Sequence, residues 1–445
     1  MNKNNNIERK QIGFLAFAPL LIFLALYIGI GLYFTLQNAE SPFSIFPRHI
    51  ALFVGIGVAL IMQRQYPVSQ KIDIICENMG NSGVMMIGLI YLLAGGFQGA
   101  AAVMGGKESV VNFSLTHIPP SLLVPGIFVM GAFISTAIGT SMGTIAALAP
   151  IAISVAEGAN LNLALTSAAV IGGAYFGDNL SMISDTTISA TQGVGAEMKD
   201  KFRMNFLIAL PAAIIAAVLY GFLGGRGVIT EVLPYDLIRI IPYLSVLIAA
   251  LMGVNVAVVL FIGILMTGVI GLAQGSVTFF EWVGGIGSGM SDMFSITIVA
   301  ILVSGIIGIV KFYGGVEWLV EKITSKINSR KGAEYGISFL VGILSAALIN
   351  NTIGIIISAP IAKEIGEKYH IAPKRLASLL DIFACAFLAL MPHDGGMLIV
   401  TGLSQTSPLE VLKYAYYIFA LIIVALLSIQ FGWLRTAEEK SYDKK

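Results

Sequence analysis

Long apolar runs separated by short polar breaks extend over most of the chain, and this pattern predicts a bundle of membrane-spanning helices. A helix needs about 20 consecutive apolar residues to cross a bilayer, and several of the runs reach or exceed that length. We expect about ten to thirteen crossings, from the runs at residues 12–34, 50–62, 84–104, 122–156, 161–176, 206–223, 237–252, 254–272, 279–293, 296–310, 337–359, 376–391 and 409–433.

Two of these runs, at residues 122–156 and 337–359, are interrupted by small polar residues. The residues concerned are Thr140, Ser141, Thr144, Asn350, Asn351 and Thr352. Such interruptions indicate half-helices that meet at membrane depth, where hydroxyls, amides and freed carbonyls can replace the water around a cation or bind a solute. The alternative is that the small residues only allow tight helix packing.

The segment at residues 172–187 carries two carboxylates, Asp178 and Asp185, directly after an apolar run. Further oxygen donors in it are Asn179, Ser181, Ser184, Thr186 and Thr187. On one continuous helix Asp178, Ser181 and Asp185 would share a face. A charge at bilayer depth costs about 2.5–3.5 kcal/mol, so the segment predicts a cation or proton site on a broken helix. The alternative is a polar surface loop in which Asp185 caps the next helix.

The second half of the chain repeats features of the first half at an offset of 210 residues: Ala-Pro-Ile-Ala at residues 149–152 recurs at residues 359–362. Thr140-Ser141 aligns with Asn350-Asn351 at the same offset. We therefore predict two transmembrane halves, residues 1–225 and 226–445, with a substrate site between repeats.

Three further ionisable residues of the second half are candidates for chemistry. Asp381 lies alone among apolar residues, so it either faces a hydrated cavity or pairs with a base such as Arg375. His393 and Asp394 follow a proline and precede two glycines, which suits a proton-handling or ligand-binding pair, or a surface turn.

Composition supports the membrane assignment, because 57% of the 445 residues are hydrophobic and only 11% are charged. The net charge of +1 argues against nucleic acid as a partner. The two cysteines show no metal-binding spacing, and no nucleotide-binding or hydrolase motif is present. We therefore expect no enzyme activity and no cofactor. The basic N-terminal residues Lys3, Arg9 and Lys10 favour a cytoplasmic N-terminus in a multi-pass plasma-membrane protein.

The sequence of residues 173–187, GAYFGDNLSMISDTT, resembles the signature of the NhaC-type sodium/proton antiporter family, within the ion transporter superfamily. The resemblance implies an all-α polytopic fold with two inverted repeats, discontinuous helices, re-entrant hairpins and a site near the midplane. It also implies ion binding by Asp178, Asp185, Thr186 and Thr187. Met182 departs from the proline expected there, and residues 392–396 are not typical of the sodium/proton branch.

Two functions stay open. In sodium/proton exchange, Asp178 and Asp185 hold sodium and protons alternately, with Ser181, Thr186 and Thr187 as further ion ligands. In sodium- or proton-coupled transport of an amino acid or carboxylate, the first-half acids hold the ion and the second-half polar residues hold the solute. A channel or an intramembrane enzyme is a third, weaker alternative. The bilayer, sodium and protons are the expected partners, and this class allows a homodimer.

Overall fold

All regular elements in the described part of the chain are helices, which confirms the all-α polytopic fold class. The computed structural model describes residues 12–37, 45–182, 184–224, 234–252, 254–325, 327–435 and 439. After a 3-10 helix, Gly13–Phe17, the α-helices are α1 (Ala18–Leu36), α2 (Arg48–Ile61), α3 (Val68–Met79), α4 (Ser82–Val103), α5 (Gly106–His117), α6 (Pro120–Ile138), α7 (Ser141–Gly158), α8 (Leu163–Leu180), α9 (Asp185–Val194), α10 (Met198–Leu223), α11 (Leu237–Leu251), α12 (Val256–Ala273), α13 (Phe279–Asp292), α14 (Phe294–Phe312), α15 (Gly315–Thr324), α16 (Arg330–Leu348), α17 (Asn351–Lys368), α18 (Pro373–Ala389), α19 (Gly395–Ser404), α20 (Pro408–Leu412) and α21 (Tyr416–Phe431).

Five helical stretches of the described residues are long and apolar enough to cross a membrane. They are Gly13–Phe34, Ser82–Val103, Ser141–Gly158, Met198–Leu223 and Phe279–Phe312. Shorter apolar helices, such as α2, α12 and α21, accompany them. The basic N-terminal residues, and residues 225–233 around the predicted boundary between the halves, lie outside the described ranges.

The chain forms two compact units, one of residues 1–88 and 297–327 and the other of residues 89–296 and 328–445. In the first unit α1 packs on α2. The hydroxyl of Tyr313 donates a hydrogen bond of 2.8 Å to the carbonyl of Ala59. Lys71 is buried and donates to the carbonyls of Leu60 and Met62 at the end of α2. The predicted division into halves near residue 225 follows a different criterion, the sequence repeat, and stays a prediction.

The second unit contains two runs of four helices with matching bounds. The first run, α6 to α9, starts at residues 120, 141, 163 and 185, and the second, α16 to α19, starts at residues 330, 351, 373 and 395. Each start is displaced by the 210 residues of the sequence repeat. The sequence repeat therefore corresponds to a repeat of whole helices with breaks in the same places. We call α6 to α9 the first copy and α16 to α19 the second copy.

Both copies break at equivalent positions for a local reason. In the first copy Gly139 adopts a left-handed conformation with φ of 78°, and Thr140 then caps α7 by accepting a hydrogen bond from the Gly143 amide. In the second copy Ile349 adopts φ of 50°, and Asn350 caps α17. A β-branched residue is strained in this region, so the surrounding packing must hold the second break in place.

The short last helix of each copy packs on a helix of the other copy. Helix α9 of the first copy packs on α17 of the second, and α19 of the second copy packs on α7 of the first. A Cβ on Gly193 of α9 would collide with Ala359 of α17, and one on Gly395 would collide with Met142 of α7. Each break is therefore built from both copies.

One predicted boundary differs in a way that matters for the site. The apolar run at residues 206–223 predicts a helix preceded by a basic loop, whereas α10 begins at Met198. Lys201 and Asn205 lie on its buried face, and the same face continues with Ile208 and Ala212. The hydrophilic start of the helix is thus packed against protein.

Candidate functional site

The site is built around Asp178, which lies near the end of α8 and is only 3% exposed. The helix ends at Leu180 because Ser181 turns to an extended conformation with ψ of 138°. Helix α9 starts again at Asp185. The segment at residues 172–187 is therefore a broken helix rather than one continuous helix, and Asp178 lies beside the break.

The Asp178 carboxylate joins two helix breaks. Its Oδ2 atom accepts hydrogen bonds from the Oγ of Ser141, at 2.7 Å, and from the Ser141 amide, at 3.3 Å. Its Oδ1 atom accepts a hydrogen bond of 2.5 Å from the Oγ of Ser184. Ser141 is the first residue of α7 and Ser184 is the N-cap of α9, so two helix N-termini lie beside one carboxylate. Their partial positive charge favours an anionic group at this point.

The hydroxyls of the break form a connected set. Ser184 and Thr186 share a hydrogen bond of 2.8 Å between their Oγ and Oγ1 atoms. Thr187 donates to the Ser181 carbonyl at 2.8 Å, and all three of Ser181, Thr186 and Thr187 are buried. Asp185 differs from them because its side chain is exposed. The first turn of α9 thus brings the hydroxyls, but not the second carboxylate, to the buried side of the break.

A buried ion pair between Lys201 and Asp381 lies next to this set. The Nζ of Lys201 is 2.7 Å from Oδ2 of Asp381, and both side chains are at most 1% exposed. Lys201 also donates to the Asn179 carbonyl, at 2.9 Å, and to Oγ1 of Thr187, at 2.6 Å. Asn205 donates to Oδ2 of Asp381 and to the Asn179 carbonyl, at 2.7 and 2.9 Å. The end of α8, the start of α9, α10 and α18 are thereby held together.

Asp381 thus pairs with a base, but the base is Lys201 and not Arg375. Arg375 binds Glu334 instead, through Nε at 3.0 Å and NH2 at 2.9 Å. Sequence reasoning missed Lys201 and Asn205 because they stand in a stretch rich in charged residues. The signal that could have found them is spacing: Lys201 and Asn205 lie on the same helix face as the apolar residue Ile208, so they extend the apolar face of α10 towards its N-terminus.

Three buried side-chain oxygens at this cluster have no hydrogen-bond partner among the described residues: Oδ1 of Asn179, Oδ1 of Asn205 and Oδ1 of Asp381. Buried polar atoms are nearly always satisfied, so each such oxygen requires an explanation. All three atoms are acceptors on residues that the Lys201 network already holds in place. Oxygen acceptors of this kind suit a hard cation or water.

His393 and Asp394 occupy the second break, between α18 and α19. Asp394 is buried and caps α19, since its Oδ2 accepts from the amides of Gly396, at 3.1 Å, and Met397, at 3.2 Å. Its carboxyl also makes a side-chain hydrogen bond with Tyr175 of α8, in the first copy. His393 is buried and is bonded to the backbone of Ala346 in α16. The two neighbours therefore face different copies.

The other predicted polar residues lie at the two N-terminal caps. Thr140 and Asn350 cap α7 and α17, and Thr144 donates back to the Thr140 carbonyl at 2.9 Å. Asn351 donates to Sγ of Cys385 at 3.5 Å. Residues 350–352 are half-buried, whereas Ser141 and Thr144 are buried. The second cap is therefore the more accessible of the two.

Apolar helices broken in pairs around buried carboxylates, hydroxyls and amides are typical of secondary transporters. The family model described as the Na+/H+ antiporter family matches residues 6–225 and 232–433. The chain belongs to this family, which confirms the resemblance drawn from residues 173–187.

Three characterised relatives show how far the similarity extends. The Na+/H+ antiporter NhaC of Alkalihalophilus pseudofirmus is 23% identical over 433 residues, which cover 87% of this chain and 90% of that protein. NhaC of Bacillus subtilis is 32% identical over 179 residues, 40% of this chain and 39% of that protein. The malate-2H+/Na+-lactate antiporter of Bacillus subtilis is 28% identical over 205 residues, 45% of this chain and 44% of that protein. The chain thus matches less than half the length of the latter two relatives.

Proposed function

We propose that this chain exchanges sodium for protons and that Asp178 is the carboxylate at which the two compete. The observation that carries the proposal is the position of Asp178, which is buried beside one helix break and hydrogen-bonded to another. A carboxylate with surrounding hydroxyls offers the hard oxygen ligands that sodium prefers, and it is also a group that can hold a proton. Because one carboxylate does not hold both at once, exchange follows from alternate occupancy.

The hydroxyls beside Asp178 support this proposal, because a hydroxyl can both donate and accept. In the structure Ser141 and Ser184 donate hydrogen bonds to the carboxylate. When sodium binds, the same hydroxyls can rotate and turn their lone pairs to the ion, and Thr186 is in place to accept the proton of Ser184. No backbone movement is needed for this change of role.

We propose that Lys201 positions the site rather than binds the ion. Its ammonium group fixes the Asn179 carbonyl and the Thr187 hydroxyl, on the two sides of the break, and its charge is balanced by Asp381. The ends of α8 and α9 at the break are then held at a fixed distance from each other. The finer topology that we propose, a plasma-membrane protein with a cytoplasmic N-terminus, is supported by the basic residues that precede the first apolar run.

The experiment that tests the proposal measures sodium-driven proton movement in proteoliposomes with a pH-sensitive dye inside. An imposed sodium gradient should move protons in the opposite direction, and Asp178→Asn should abolish this movement. Asp185→Asn is the matched control, because Asp185 lies in the same segment but is exposed, and it should keep most of the activity. Full activity of Asp178→Asn would refute the proposed site.

Sodium binding can be tested separately from transport. A ligand that binds only the folded protein stabilises it by about 2.7 kcal/mol at 100 times its Kd. The unmodified protein should therefore melt at a higher temperature in sodium chloride than in potassium chloride, and Asp178→Asn should lose the difference. Equal melting of the unmodified protein in both salts would count against a sodium site.

Exchange of a small organic solute is the second candidate function. It is supported by the half-buried Asn350, Asn351 and Thr352, whose amides and hydroxyl suit a carboxylate or amino acid better than a lone ion. The name of the malate-2H+/Na+-lactate antiporter also supports it. Counterflow of labelled malate, lactate and amino acids in the same proteoliposomes separates the two functions. Saturable counterflow that Asn351→Ala removes would favour the second candidate.

A further inference from the structure

A cavity of about 310 Å³ lies beside the first turns of α10, and none of its lining residues belongs to the Asp178 site described above. Its lining residues are Asp200, Arg203, Met204, Leu207, Lys374, Leu434 and Arg435. They belong to the first turns of α10 and α18 and to the segment that follows α21, and these three helices pack on one another. The cavity is therefore formed where the ends of three packed helices meet.

The cavity is strongly basic. Three cationic side chains, those of Arg203, Lys374 and Arg435, face it together with the single carboxylate of Asp200. Among the described residues, neither Arg203 nor Lys374 is within ion-pair distance of an acidic group, whereas the Arg375 next to Lys374 is paired with Glu334. A site lined by three cations and one carboxylate, with two of the cations lacking an acidic partner among the described residues, is suited to an anion.

One side of the cavity is apolar and continues along the outside of α10. Leu207 lines the cavity and is 56% exposed. Ile214 and Val218, seven and eleven residues further on, lie on the same face and are 56% and 49% exposed. Exposed aliphatic residues on a membrane-class helix face lipid chains. The basic cavity therefore opens onto a lipid-facing apolar stripe.

An exposed aromatic residue marks the depth of the cavity in the membrane. Trp433 immediately precedes the lining residue Leu434, is 58% exposed and stacks on Phe431 with 5.5 Å between ring centroids. Tryptophan is enriched at the boundary between lipid chains and headgroups. The cavity thus lies at headgroup level, where phosphodiester groups of the bilayer are concentrated.

From this arrangement we infer that the cavity binds the headgroup of an anionic phospholipid. Arg203, Lys374 and Arg435 bind the phosphate, and one acyl chain lies along Leu207, Ile214 and Val218. Basic pockets between membrane helices bind lipid headgroups in this way. A soluble phosphate could use the three cations but would gain nothing from the apolar stripe. The inference stands on its own, whether or not the proposed sodium/proton exchange is correct.

The bound lipid contacts the helix that positions the transport site. Arg203 and Leu207 face the cavity, while Lys201 and Asn205, each two residues earlier on α10, face the buried ion pair. Residues two apart on a helix point about 200° apart, so the two functions occupy opposite sides of the same two turns. Lipid binding therefore fixes the end of α10 from outside the protein.

The test measures lipid binding to the purified full chain by native mass spectrometry, with phosphatidylglycerol and phosphatidylcholine of the same acyl chains. The unmodified protein should retain phosphatidylglycerol preferentially. Each neutralised cation should weaken this binding about fivefold, which corresponds to about 1 kcal/mol per basic residue near a charged membrane surface. The variant Arg203→Gln/Lys374→Gln should therefore bind about 25-fold more weakly. Lys363→Gln, at an exposed lysine outside the cavity, is the matched control and should bind normally.

Several outcomes would overturn the inference. The first is equal retention of the two lipids by the unmodified protein. The second is that the double variant binds phosphatidylglycerol as well as the control does. The third is full competition by glycerol phosphate, which would indicate that the cavity binds a soluble anion. If the double variant does not fold, Leu207→Ser replaces it. This change leaves all the charges in place, and it should weaken phosphatidylglycerol binding without creating any affinity for glycerol phosphate. Unchanged lipid binding by Leu207→Ser would remove the acyl-chain contact from the inference.

Discussion

Breaking the Lys201–Asp381 pair should destabilise the protein far more than breaking an exposed pair of the same chemical type. Both side chains are at most 1% exposed, and the N···O distance is 2.7 Å. Removing one partner of a buried pair leaves an uncompensated charge and typically costs about 3–5 kcal/mol. In Lys201→Gln, Asp381 keeps only the Asn205 amide as a partner for its Oδ2 atom. In Asp381→Asn, Lys201 keeps two neutral oxygens and loses its counter-charge.

The double variant Lys201→Gln/Asp381→Asn separates the cost of an unpaired buried charge from the cost of altered side-chain packing. Because neither charge remains, it should be more stable than either single variant, and the two single effects should be strongly non-additive. The partly exposed pair Lys107–Glu157 serves as the control. Its N···O distance is 2.6 Å, with side-chain exposures of 33% and 34%. Pairs of this kind contribute about 0.2–1 kcal/mol, so Lys107→Gln should change stability little.

The assay is denaturant unfolding of the purified protein in detergent micelles, followed by tryptophan fluorescence, with sodium-driven proton movement recorded on the same preparations. The double variant should fold but transport poorly, since the Asn179 carbonyl and the Thr187 hydroxyl are no longer fixed by an ammonium group. Two results would refute the reasoning. One is a single variant as stable as the Lys107→Gln control, and the other is additive effects in the double variant.

Two further substitutions test the packing and the hydroxyl set of the site. Gly177→Ala should impair folding or transport, because its Cβ would lie 2.5 Å from the carbonyl oxygen of Ala132 in α6. Gly126→Ala is the control and should leave stability and transport unchanged, because a Cβ there meets no atom within 4 Å. Thermal melting of both variants checks this. Ser184→Ala removes a hydroxyl that turns its lone pair to the bound ion, a loss comparable to a hydrogen bond to a charged group, about 1.5–3 kcal/mol, so the sodium concentration for half-maximal transport should rise about tenfold or more. Ser154→Ala, which removes a bond within α7 and one to Tyr243 of α11 but none to Asp178, should leave that concentration unchanged and is the control.

The sequence predicted the fold in its main features because membrane helices are encoded by composition and length. The polar interruptions at Thr140 and Asn350 predicted breaks, and both residues are the N-caps of the helices that follow. The offset of 210 residues, seen in only a few identities, recurs in the starts of four successive helices. Local signals of this kind survive in sequence because a cap or a break needs a particular residue at a particular place.

The tertiary partners in the site could not be predicted in the same way. Asp178 and Asp185 have similar sequence surroundings, yet one is buried and the other exposed, since the helix ends between them and restarts in a new direction. Lys201 and Asp381 are far apart in sequence, and Asp381 had a nearer candidate partner in Arg375. Which base meets which acid depends on how α10 packs on α18, and this packing has no local signature.

The same pair has a consequence for the biogenesis of the protein. Lys201 is synthesised 180 residues before Asp381, so its counter-charge does not yet exist when α10 reaches the membrane. At the usual rates of translation the interval is on the order of 10–40 s. Burying a lysine without its counter-charge typically costs about 3–5 kcal/mol, so the start of α10 must remain near water until α18 arrives. The ion pair therefore makes burial of this segment conditional on synthesis of α18. A chain that stops before α18 keeps the hydrophilic start of α10 exposed to quality control.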